Sequence, residues 1–129
     1  MKKEIKKACD ISKMILDQVN SYTEKYTGVE GKDVTTEDSL QELQTILEEG
    51  FALHNYLIEK KLANDSPAIG ISLINLEKFT SQLAITKENA EKLRLSNAIQ
   101  IWNQTKIAIA VLAGAVLDTY EPIKKDDEQ

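Results

Sequence analysis

A helical repeat with few breaks constrains this chain more than any other feature. From Lys2 to Tyr26, the residues Ile5, Ala8, Ser12, Ile15, Val19, Tyr22 and Tyr26 recur at alternating spacings of three and four, which draws one stripe along a helix of about seven turns. A stripe of this kind is stable in water only when it faces other helices. The breakers are sparse, with two prolines and five glycines in 129 residues, too few for the many tight turns of a β-sandwich or barrel.

The breakers that do occur divide the chain into four helical segments. Gly28 is placed to cap the first helix (2–26) in the left-handed conformation, and 27–35 form a loop. Thr35, Thr36, Glu37 and Asp38 offer capping hydroxyls and first-turn carboxylates to a second helix over 36–62. Its apolar side carries Leu40, Leu43, Ile46, Leu47, Gly50, Leu53, His54, Leu57 and Ile58. Asn64, Asp65, Ser66 and Pro67 make a stop and a restart, so a third helix covers 67–85 with Ile69, Leu73, Leu76, Phe79, Thr80 and Leu83 inward. A turn capped by Thr86 precedes a fourth helix over 87–120, which ends before Pro122. Short connections favour antiparallel neighbours, so the expected fold is an all-α, up-down four-helix bundle in one domain (1–120), with a charged, disordered tail at 121–129. Level counting in such a bundle sets Gly50 opposite Phe79 and Gly70 opposite Trp102.

Charge and composition narrow the partners. Asp plus Glu number 21 against 16 Lys plus Arg, a net charge of −5, which disfavours nucleic acid as a partner of the whole surface. The longest apolar run, Ile107 to Leu117, spans 11 residues, too short for a bilayer, so no membrane partner is expected. The amino terminus lacks the pattern of a secretory leader, and the lone Cys9 has no internal disulfide partner, so a reducing cytoplasm is the expected compartment.

Motifs of chemistry are absent. His54 has Gly50, Phe51, Leu57 and Ile58 as same-face neighbours, so no carboxylate of its own helix can orient it. Cys9 lies between Lys6 and Lys13 on its helix, yet without a histidine nearby in sequence it makes a poor nucleophile. Glu48 and Glu49 point about 100° apart and cannot share a proton. Neither a phosphate-binding glycine loop nor a metal-ligand spacing occurs, so neither enzyme activity nor a metal or other cofactor is expected.

Two features exceed what a plain bundle needs. Between Lys32 and Lys60 there are seven acidic residues and no basic one, with Asp38, Glu42 and Glu49 along one flank and Glu37, Glu48 and Glu59 along another. The first flank is a candidate face for a basic protein partner. From Leu95 to Leu117 the only charged residue is Lys106. Ala98, Ile101, Thr105, Ile109, Leu112 and Val116 can fill the core there, while Ile107, Ala110, Gly114 and Leu117 form a second apolar stripe that three other helices can hardly cover. The expectation is a non-enzymatic, protein-binding or regulatory bundle, analogous in size and charge to small chaperones, antidotes and inhibitors, that forms a homodimer through its fourth helix. The alternative is a small apolar ligand held between the third and fourth helices.

Overall fold

The stripe that begins the chain folds as the sequence dictates. In the computed structural model, which describes residues 2–27, 37–79 and 95–128, α1 (Lys3–Thr27) buries Ala8, Cys9, Ser12, Ile15, Val19, Tyr22 and Tyr26 along one side. The Ser12 hydroxyl, fully buried, donates to the Ala8 carbonyl at 2.8 Å, so no unsatisfied polar atom enters the stripe. α2 (Glu37–Glu59), α3 (Pro67–Glu77) and α4 (Leu95–Glu128) complete an all-α bundle.

The connection from α2 to α3 shows how local chemistry sets the turn. Lys61 takes a left-handed backbone (φ 60°), while the Leu62 N–H donates to the Leu57 carbonyl at 2.8 Å and the Lys61 N–H to that of Ile58 at 3.1 Å. This crossed pair is a Schellman closure, here with Leu62 and Leu57 both buried beneath it. It ends α2 at Glu59, short of the expected Leu62. Ser66 then caps α3, its side-chain oxygen accepting from the Ile69 N–H at 3.2 Å, with Pro67 following in the first turn.

Pairings across the helices fix the topology. Tyr22 meets Ser39, and the Tyr56 hydroxyl donates to the Glu4 carbonyl, so α1 and α2 run antiparallel. Lys13 pairs with Glu121, and Ser66 bonds Thr119, so α4 runs antiparallel to both α1 and α3. α4 packs against all three other helices, whereas α3 packs chiefly against α4. The core is accordingly centred on α4, through Trp102, Thr105, Ile109, Leu112, Ala113, Val116 and Tyr120.

Four expectations are corrected. The helical part of α3 stops at Glu77, where the Phe79 N–H turns back to the Leu76 carbonyl at 3.1 Å and tightens the last turn. α4 continues through Pro122 to Glu128, past the expected end at Tyr120. The donor that Pro122 lacks would have served the carbonyl of Asp118, an exposed residue that water can satisfy. The atoms closest to a side chain built at Gly50 belong to Ile109 of α4 and not to Phe79. The atom closest to a side chain built at Gly70 is the Ala63 carbonyl oxygen, at 3.6 Å, while Trp102 sits beside Leu47 and Phe51 of α2. Both glycine pairings fail for one reason: without a side chain at Gly50, the diagonal pair α2 and α4 closes, and this takes Trp102 towards α2. The Gly28 cap, the 27–35 loop with Thr35 and Thr36, the inward positions Thr80 and Leu83, the turn at Thr86 and the helix start at 87 lie outside the described residues, apart from Thr27, the last residue of α1.

Candidate interaction surfaces

The apolar stripe expected on α4 divides once the helices pack. Ile107 is 59% exposed, whereas Ala110 and Leu117 are half-buried against the core and Gly114, also half-buried, has no atom of another described helix within 4 Å of where a side chain would begin. Val111, one turn from Ile107, is 54% exposed. Together with Ala108 these two side chains form one wall of a groove of about 390 Å³, whose other wall is Ser72 and Asn75 of α3 with Lys78 and Phe79 of the turn after it. Ile71 and Ile74 stand outward from α3 at 60% and 58% exposure. The sequence reading placed Ile107 on the free surface but missed Val111, Ile71 and Ile74. The usable signal was in α3, where Ile71 and Ile74 lie three apart and off the Ile69, Leu73, Leu76 stripe.

The acidic flank of α2 is partly in use within the fold. Glu42 accepts from the Lys25 ammonium at 2.6 Å and stands beside Tyr26, so α1 already neutralises it. Asp38 is exposed and Glu49 half-buried. On the other flank Glu48 and Glu59 are exposed, with the Gln44 amide donating to Glu48 at 3.3 Å. Between that flank and α4 runs a second groove of about 360 Å³, lined by Gln44, Leu47, Glu48, Phe51, Ala52 and Asn55 of α2 together with Trp102.

His54 does have a carboxylate neighbour, though not on its own helix. Glu77 of α3 lies 2.9 Å from Nε2, and Asn55 lies 3.1 Å from Nδ1. The pair ties α2 to the end of α3, a link that no spacing within one helix could reveal. Cys9 is buried, and Lys13 is turned to Glu121, whose hydrogen bond raises the Lys13 pKa. Among the described residues no group of three or more His, Cys, Asp and Glu could hold a metal ion, and no helix is long and apolar enough to cross a membrane.

Tyrosines lock two corners of the bundle. The Tyr22 and Tyr26 rings lie 4.7 Å apart, and the Tyr22 hydroxyl bonds Ser39 at 2.8 Å. Burial, then the hydrogen bond to Glu42, pushes the Tyr26 phenol up to about 12. Tyr120 donates to Asp65 at 2.6 Å, and burial followed by that bond raises its pKa as well. Lys106, buried with its ammonium 4.7 Å from the centre of the Tyr22 ring, is shifted down by desolvation. A phenol that holds its proton longer in the fold than in the unfolded chain contributes stability that is whole below pH 10 and is lost as pH rises towards 12. Lys106 opposes this, because its burial is relieved as pH approaches 10.5. With both phenols raised, the bundle should unfold in alkali above pH about 10, with tyrosinate absorbance and loss of helical circular dichroism moving together. Phenols that ionise near pH 10 in a chain still helical would refute the coupling.

Compared with protein-family models, with curated proteins and with solved structures, the chain matches none.

Proposed function

We propose that this chain is a non-enzymatic interaction module that acts by binding protein, and that it pairs with a second copy of itself across the outward side of α4. The observation that carries the reading is the exposure of Ile107 and Val111 on the helix at the centre of the core, on the wall of a groove shared with α3. Large aliphatic side chains set together on a groove mark a contact surface more often than a solvated one. The open space at Gly114 and the small Ala110 let a second helix approach α4 closely.

Light scattering on the full chain tests the pairing. Wild type should run at twice the 14.5 kDa of one chain, and Val111→Glu should halve that mass while leaving helical content unchanged. A monomeric wild type, or a dimer indifferent to both Val111→Glu and Ile107→Glu, would overturn it. The groove between α3 and α4 also supports a second reading, a small apolar ligand lying against Phe79, Ile107, Ala108 and Val111 with Asn75 and Gln104 at its rim. Native mass separates the two, since a bound molecule adds a few hundred daltons to one chain.

A further inference from the structure

We propose that the groove between α2 and α4 is a separate docking site for a basic, amphipathic helical segment of a different protein. This rests on the reading of the chain as a protein-binding module, but it uses another surface and another partner from the self-association face.

Three observations support it. The floor of the groove is apolar and aromatic, formed by Leu47, Phe51 and Trp102, and the small exposed Ala52 leaves its outer side open. Its positions Gln44, Glu48, Phe51 and Asn55 follow one another by three or four, so the groove runs along about three turns of α2, the length over which a docked helix sets anchors at i, i+3, i+4 and i+7. Charge then selects the partner. Besides Glu42, which Lys25 already pairs, α2 carries Glu37, Asp38, Glu48, Glu49 and Glu59 and no Lys or Arg, with Glu48 in the groove wall and the exposed Glu59, 4.0 Å from Lys60, eleven residues further along the same face. A second copy, with net charge −5, would set like charges against this edge, whereas Arg or Lys flanking an apolar stripe would be drawn to it. Finally, Trp102 is 5% exposed, and its indole Nε1 has no hydrogen-bond acceptor among the described residues. A buried donor without an acceptor is unfavourable. A small turn of the indole towards an incoming segment gives that donor a carbonyl oxygen to bond.

Trp102 is the single tryptophan of the chain, so its emission reports the groove directly. The probe is a synthetic amphipathic peptide of about 18 residues, long enough for five helical turns, with leucines on one face, arginines on the other and no tryptophan. A peptide with glutamates in place of the arginines is its control. The arginine peptide should shift Trp102 emission saturably and bind more weakly as salt is added. Glu48→Lys with Glu59→Lys should weaken binding about tenfold at low salt, whereas Glu24→Lys, the same reversal on α1, should leave it within about twofold. Trp102→Phe keeps a ring but loses the donor, and should cost about three- to tenfold by calorimetry. Absence of binding, equal binding of the glutamate peptide, or indifference to the Glu48 and Glu59 reversals would overturn the proposal. A wild type that is monomeric but binds the peptide removes self-association and keeps this site, and a dimer that ignores the peptide does the reverse.

Discussion

Truncating Leu112 to Ala should lower the stability of the bundle by about 2 to 5 kcal/mol, while Asp118→Ala, at an exposed position of the same helix, should change it by no more than about 0.5 kcal/mol. Leu112 is wholly buried on the helix that the other three share, so the lost methyl groups leave a cavity that several helices would have to move to close. Such a loss is a large fraction of the roughly 5 to 15 kcal/mol that holds a domain together. Urea unfolding at one fixed protein concentration measures it, since a protein that pairs gains apparent stability with concentration. Equal midpoints for the two variants would show that α4 is not the centre of the core.

Gly50→Ala should also destabilise, by about 1 to 3 kcal/mol, although alanine is the better helix former by about 1 kcal/mol. A side chain built at Gly50 would overlap Cδ1 and Cγ1 of Ile109 and stand 2.7 Å from its Cγ2. Ile109 is fully buried and β-branched, so it can neither swing into solvent nor change rotamer freely. The clash can be removed from the other side. In an Ile109→Ala background the added methyl enters vacated space, and Gly50→Ala should then be neutral or stabilising, a coupling that a double-mutant cycle reads directly. Additive losses in the two variants would mean that the two residues do not meet. Gly70→Ala is the internal contrast, because its closest neighbour at 3.6 Å is an ordinary contact.

Much of the fold was legible in the sequence because helical packing reads out locally. The buried residues of α1 are the predicted stripe with Cys9 added and Ile5 left half-buried, and Ser66 and Pro67 mark the start of α3 where their chemistry requires. What sequence could not give was which helices touch. Both glycine pairings presumed that neighbours in sequence are neighbours in space, yet the bare backbone at Gly50 brings α2 to α4. The same ambiguity affected the surfaces. Glu42 looked available until α1 delivered Lys25 to it, and Trp102, expected opposite Gly70 of α3, instead lines a groove with α2. The end of α4 was misjudged for a different reason: a proline was treated as a stop, although the carbonyl it leaves free belongs to exposed Asp118.

The central place of α4 also sets an order of events during synthesis. It is the last of the four helices to leave the ribosome, and at about 5 to 20 residues per second its 34 residues take roughly 2 to 7 s to make. Throughout that interval α1 and α2 can join through Tyr22 and Ser39, but α2 still lacks α4 as a packing partner, and α3 lacks its main neighbour. The nascent chain therefore exposes these adhesive faces until α4 has been made. Anything that shields those faces, a chaperone or the chain's own partner, has its greatest effect in those few seconds.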